Sequence, residues 1–139
     1  MPRHLKIAAQ VLDQLVFHAR ADRPRECCGL LAGPQEVITE ALPTANALES
    51  PREFFIAPPE LITNFRALRE RGLKHLGIYH SHPDGDNIPS RRDLEMAFYP
   101  ACAYVIVSPV PFASRPVRAF DLASGQAIEF EIEAITSST

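Results

Sequence analysis

The sequence has little cysteine, no long apolar run and no surplus of positive charge, and each shortage excludes something. Its three cysteines, Cys27, Cys28 and Cys102, are an odd number with two adjacent, which does not make a disulfide framework. No Cys-x-x-Cys pair is present to hold a structural metal, so the thiols read as reduced and packed in the core. The segment Met1-Pro2-Arg3-His4-Leu5-Lys6 leads into a stretch interrupted by Gln10, Asp13 and His18, which is neither the apolar core of a signal peptide nor a membrane span. A cytoplasmic protein without a membrane partner is the expectation. The balance of 14 Lys and Arg against 17 Asp and Glu gives a formal charge of −3, and the arginines stand singly, in pairs or beside acids such as Asp22, Glu26, Glu70 and Asp93. There is no basic face for nucleic acid. Internal repeats and low-complexity tracts are also missing.

What remains is a chain of 139 residues, 46% of them hydrophobic, long enough for one domain over 1–139 with a real core and one active site. Ile7, Val11, Leu12, Leu15, Val16 and Ala19 recur at helical spacing and predict a helix over about 7–21, ended by Pro24. The runs Cys28–Gly33, Val37–Leu42 and Glu53–Ile56 read as three strands, with a loop over 43–52. Pro58-Pro59-Glu60 opens a second helix that carries Leu61, Phe65 and Leu68 and stops at Gly72. A strand over 75–81, a short helix from Ser90 to about Phe98, and strands over 102–108, 117–122 and 127–132 complete the pattern. The mixture predicts an α/β or α+β domain with a central mixed sheet flanked by helices.

His80 and His82 close the apolar run Leu76-Gly77-Ile78-Tyr79, and in a strand two residues one apart share a face. That makes them a candidate pair of metal ligands. A carboxylate beyond the following Gly/Pro-rich turn can supply a third, and three protein ligands with an open fourth position is the form of a catalytic zinc site. Other histidines, His4, His18 and His75, read as hydrogen-bonded structural residues, and Asp84 and Asp86 as turn residues. Ser90-Arg91-Arg92-Asp93 matches a helix N-cap with an acid in the first turn, a role compatible with a chemical one because capping holds Asp93 in place. On local grounds Glu26, at the boundary before Cys28, is a solvated loop acid.

Taken together, Glu26, then His80-Ser81-His82-Pro83, then seven residues, then Ser90-x-x-Asp93, matches without a substitution the signature of the JAMM (MPN+) metalloproteases, which this chain resembles. The resemblance covers nearly the whole chain and is to the small, stand-alone prokaryotic members. It implies a cytidine-deaminase-like α/β architecture and one Zn2+ per chain held by His80, His82 and Asp93. It also implies Glu26 as general base towards the catalytic water and Ser90 as stabiliser of the oxyanion. The implied activity is peptide or isopeptide hydrolysis at the C-terminal tail of a ubiquitin-like sulfur-carrier protein. The insertions that grip ubiquitin in larger relatives have little room in 139 residues. A zinc deaminase would need His-x-Glu and Pro-Cys-x-x-Cys, and neither is present. The remaining alternatives are a non-catalytic MPN scaffold, against which the intact motif argues, and a general small-peptide zinc peptidase.

Overall fold

Hydrophobic runs buried on both sides dominate the computed structural model, which describes residues 3–136. In chain order the elements are β1 (His4–Ala8), α1 (Ala9–Asp22), β2 (Cys28–Gly33), β3 (Val37–Ile38), β4 (Glu40–Thr44), α2 (Pro58–Glu70), β5 (Lys74–Ser81), α3 (Arg91–Glu95), β6 (Ala103–Val107), β7 (Val117–Asp121) and β8 (Ile128–Ile135). The strands form one mixed sheet in the order β3-β1-β8-β7-β6-β5-β2-β4. β5 and β6 run parallel, as does β1 with β3 and β8, while the remaining neighbours are antiparallel. This is the α/β fold with a central mixed sheet that the sequence pattern predicts.

Alternation along each central strand sends successive side chains to two different cores. Leu31, Tyr79, Val105, Val107 and Ala119 face α1, which buries Val11, Leu15 and Ala19 against them. Leu30, Ile78, Tyr104, Ile106 and Phe120 face the other way, under Leu61 and Phe65 of α2, Leu94 of α3, and Phe54. With both faces covered, β2 and β6 are buried at every position, which is why they read as continuous apolar runs and not as alternating ones. Gly29 is required by close approach: a Cβ there would lie 2.5 Å from the Tyr79 ring and 2.6 Å from the Leu42 carbonyl oxygen. Gly72, at φ +69°, ends α2 in the left-handed conformation that glycine adopts freely.

Four expectations are corrected. The first helix begins at Ala9, and Ile7 belongs instead to β1, paired in parallel with β8 and β3. The chain passes from strand to helix through Ala8 with no side-chain cap and no turn residue, so Ile7 and Val11 continue one helical stripe in sequence although a strand holds the first of them. The run Val37–Leu42 is divided at Thr39, with β3 pairing β1 and β4 pairing β2. Glu53–Ile56 forms no strand and joins no ladder among the described residues. Its alternation is real, with Ile56 buried and Phe55 exposed, yet its Phe55 N–H and C=O bond to the Asn46 side chain and the Ala47 N–H. The short third helix also stops sooner than expected, at Glu95. Among the described residues no helix is long and apolar enough to cross a membrane.

Candidate metal centre

His80 and Ile78 share a face of β5, so the strand delivers His80 to the second core at its C-terminal end, and His82 follows one residue beyond. The backbone there is pinned from both sides. His82 N–H donates to the Val107 carbonyl at 3.0 Å and Ser81 N–H to the Cys27 carbonyl at 3.1 Å. Ser81 Oγ accepts from the Cys27 N–H at 2.8 Å. The Ser81–Cys27 bonds prolong the β2–β5 ladder, in which Cys28 lies opposite His80, and the His82–Val107 bond prolongs the β5–β6 ladder, so the alternation that places Cys28 and Leu30 on the His80 face carries back to Glu26.

The third group arrives from α3. Ser90 is its N-cap: its Oγ accepts from the Asp93 N–H at 3.1 Å, and its own N–H donates to Asp93 Oδ2 at 2.8 Å, a reciprocal capping box. The capping expected from the sequence is therefore present, and it aims the Asp93 carboxylate inward. Asp93 Oδ1 lies 3.1 Å from His80 Nε2, Asp93 Oδ2 lies 3.1 Å from His82 Nε2, and the two Nε2 atoms are 3.1 Å apart.

That triangle could serve as the donor set of a cation. Two imidazole nitrogens facing each other share at most one proton, and a carboxylate completes three electron pairs directed at one point. Tetrahedral bonds of about 2.0–2.1 Å, as zinc makes with nitrogen and oxygen, separate neighbouring ligand atoms by about 3.3 Å, close to the spacing here. The neutral tautomer of His82 is set from outside the triangle: its Nδ1 is 2.8 Å from the Asp86 carbonyl, which can only accept, so the neutral ring carries its proton on Nδ1 and turns its Nε2 lone pair to the centre. His80 is different. Its Nδ1 is buried and has no hydrogen-bond partner among the described residues, and its ring is instead stacked on Phe54, with centroids 4.6 Å apart and planes at 20°.

The titration behaviour follows the same geometry. Burial lowers the pKa of His80, keeping it neutral and able to donate a lone pair. Burial also opposes charge on His82 and on Asp93, but hydrogen bonding wins: the bond to Asp93 raises His82, and the contacts with His80 and then His82 hold Asp93 well below the usual carboxylate range. Glu26, 4% exposed, is pushed up to about 8 by burial, against the charge of His82 and with that of Asp93 adding to the shift. A cation at the three donors acts in the opposite sense and favours the Glu26 carboxylate. The sequence expectation of a solvated loop acid is therefore overturned on this point. Burial raises the thiols of Cys27 to about 12 and of Cys28 and Cys102 to about 11, so all three are inert packing residues, as their sequence setting indicates.

Of the other histidines, His18 meets the Tyr79 hydroxyl at 2.8 Å, His75 packs between Phe65 and Tyr99, and His4 lies 3.5 Å from Glu131, all structural placements. Two contributors escaped the sequence reading: the Asp86 backbone carbonyl, because a turn position says nothing of where its carbonyl points, and Phe54, because an apolar residue in an extended run carries no sign of a ligand beside it.

Residues 8–123 match the family described as prokaryotic homologs of the JAB domain. The chain is 38% identical over 112 residues to a desampylase of Haloferax volcanii, covering 76% of this chain and 81% of that protein. It is 32% identical over 133 residues to the CysO-cysteine peptidase of Mycobacterium tuberculosis, covering 94% and 91% of the two chains. The solution structure of a protein from Desulfitobacterium hafniense has the same fold, with a TM-score of 0.86 at 29% identity over 95% of this chain and 93% of that one.

Proposed function

Because the chain belongs to the family of prokaryotic JAB-domain proteins, the JAMM type whose motif it carries, we propose that it is a single-domain zinc peptidase or isopeptidase acting on the C-terminal tail of a ubiquitin-like sulfur-carrier protein. The observation that carries the chemistry is the convergence of His80, His82 and Asp93 on one point, on the sheet face that also bears buried Glu26. The substrate class is supported by the relatives named desampylase and CysO-cysteine peptidase. In this reading His80, His82 and Asp93 would hold one Zn2+. When bound, the metal supplies Lewis acidity, which polarises a carbonyl and brings the pKa of water down to about 7.

The protein's own residues do the rest. Glu26, buried and with no side-chain partner among the described residues, takes the proton of the attacking water and returns it to the leaving amine. Ser90 Oγ uses a lone pair for the Asp93 N–H, so its hydroxyl proton is free to donate to the oxyanion of the tetrahedral intermediate. His82, locked through Nδ1, and Asp93, locked by the capping box, require no reorganisation as charge develops. No nucleophilic side chain enters this scheme, which agrees with three buried, inert thiols.

Substitution of Ser90 by alanine separates its two duties. Loss of the cap costs about 1 kcal/mol of stability, and loss of the oxyanion donor lowers kcat by about 10²–10³. Both are expected together, with zinc content measured on the same preparation to show that Asp93 stays in place. A lower unfolding midpoint with kcat nearly intact restricts Ser90 to capping.

The substrate is tested with a folded ubiquitin-like carrier bearing a short extension after its terminal Gly-Gly, incubated with zinc-loaded enzyme and followed by intact mass. Removal of the extension, blocked by a chelator, is the expected result. Rapid hydrolysis of unrelated short peptides while the carrier stays whole replaces this reading with that of a general peptidase.

A further inference from the structure

We propose that Asn46, which lies outside the metal motif, is a positioning residue that fixes Glu26 and Phe54 against the histidine–aspartate centre; this rests on the reading of Glu26 as base. Asn46 stands at the start of the connection from β4 to α2, and its side chain is fully used. Nδ2 donates to the carbonyls of Glu26 at 3.1 Å and Glu53 at 2.9 Å, and Oδ1 accepts from the N–H groups of Leu48 at 3.0 Å and Phe55 at 3.1 Å. A carboxamide has two donor hydrogens and two acceptor lone pairs, and all four are engaged.

Those bonds tie the two ends of the site together. On one side the Glu26 peptide is gripped twice by this loop, through its carbonyl by Asn46 and through its N–H by the Ser50 carbonyl at 2.8 Å. On the other side, Glu53 and Phe55 are both bonded to Asn46, and the residue between them, Phe54, is the one stacked on His80. The Glu53 carboxylate also reaches Arg92, 3.7 Å away and adjacent to Asp93. A ligand histidine is normally oriented by a hydrogen bond from its second nitrogen. His80 has none among the described residues, so the Phe54 ring is what fixes its plane, and Asn46 fixes Phe54.

Asn46→Asp is the informative variant, because it keeps an acceptor for the Leu48 and Phe55 N–H groups and sets an oxygen against the Glu26 and Glu53 carbonyls. Zinc-loaded Asn46→Asp is expected to lose about 10–100-fold in kcat, the size typical of outer-shell partners, with KM little changed. In the metal-free protein the Glu26 amide is expected to exchange its hydrogen faster while the Leu48 and Phe55 amides stay protected. Leu48→Ala, an exposed side chain of the same loop, retains the parent kcat. A merely structural Asn46 predicts a lower unfolding midpoint with unchanged kcat and unchanged Glu26 exchange below that midpoint, and this result overturns the proposal. An impaired Glu26→Gln beside an unimpaired Asn46→Asp also overturns it and leaves the base assignment standing. A fully active Glu26→Gln removes the base assignment and the Glu26 half of the proposal together. If Asn46→Asp does not fold, Phe54→Leu probes the same link from its far end: zinc affinity, measured by chelator competition, falls about 10–100-fold if the stack orients His80, and an unchanged affinity overturns that half.

Discussion

Glu26→Gln is expected to bind zinc as the parent does, to keep the fold, and to lose about 10²–10⁴ in kcat, the usual contribution of a general base. The charge is what the substitution removes. Glutamine keeps the shape and the hydrogen-bonding capacity of the side chain but cannot accept and return a proton at neutral pH. Retained zinc, measured by metal analysis of the same preparation, is the decisive companion reading, because Glu26 stands outside the triangle of Nε2 and carboxylate oxygens that defines the centre. Loss of zinc in Glu26→Gln makes Glu26 a ligand and overturns the scheme. The same variant carries a second signature in metal-free protein. The Glu26 carboxyl has its folded pKa raised from 4.5 to about 8, so between those values the folded state holds a proton that the unfolded chain releases. Its contribution to stability therefore falls as pH rises through that window. Glu26→Gln removes this term, and its unfolding midpoint in chelator is expected to gain on the parent's at pH 8 relative to pH 5.5.

The parts of the site legible in the sequence are those whose chemistry is tied to a local pattern. His80 and His82 announce themselves by a one-residue spacing at the end of an apolar strand, and the structure converts that spacing into two Nε2 atoms 3.1 Å apart. Ser90 and Asp93 are readable as a capping box, and the same box aims the carboxylate. Glu26 is different in kind. Local sequence makes it a surface acid, and only the long-range motif marks it, because its burial depends on β2 pairing with β5 more than fifty residues away. Asn46 and Phe54 leave no trace of either sort. An asparagine in a Pro- and Ala-containing loop is ordinary turn chemistry, and its four bonds become visible only once the chain from Glu26 to Phe55 has closed on itself.

The errors in reading the fold share that physical origin. Ile7 sits at helical spacing from Val11, yet the β8 strand that pairs with β1 is at the far end of the chain, and periodicity within a window cannot report such a partner. Phe54 and Ile56 alternate with exposed Phe55 as a strand residue pair would, but they pair with no strand among the described residues, and the side chain of Asn46 takes backbone bonds that a ladder would have supplied. Period two describes which way side chains point. It does not determine whether the backbone between them has a neighbour.

His82→Ala is expected to abolish stoichiometric zinc and, with it, turnover, and to leave the fold in place. Of the three ligands it gives the cleanest test. Asp93 also caps α3 through both of its capping bonds, so replacing it disturbs the helix as well as the centre. His80 is buried in the second core against Phe54, and alanine there opens a cavity. His82 is half-buried at the strand's end, where its side chain bonds the Asp86 carbonyl and Asp93, and its backbone bond to Val107 survives the substitution. Two donors remain, His80 Nε2 and the Asp93 carboxylate, and two protein ligands make neither a structural nor a catalytic zinc site. The loss of affinity is expected to exceed the roughly 10–100-fold that removing an outer-shell partner costs. Metal analysis after dialysis should give one zinc per chain for the parent and a small fraction of that for the variant, with far-ultraviolet circular dichroism unchanged. Full occupancy in His82→Ala would mean that the metal is held elsewhere, and the assignment of His80, His82 and Asp93 would fall with it.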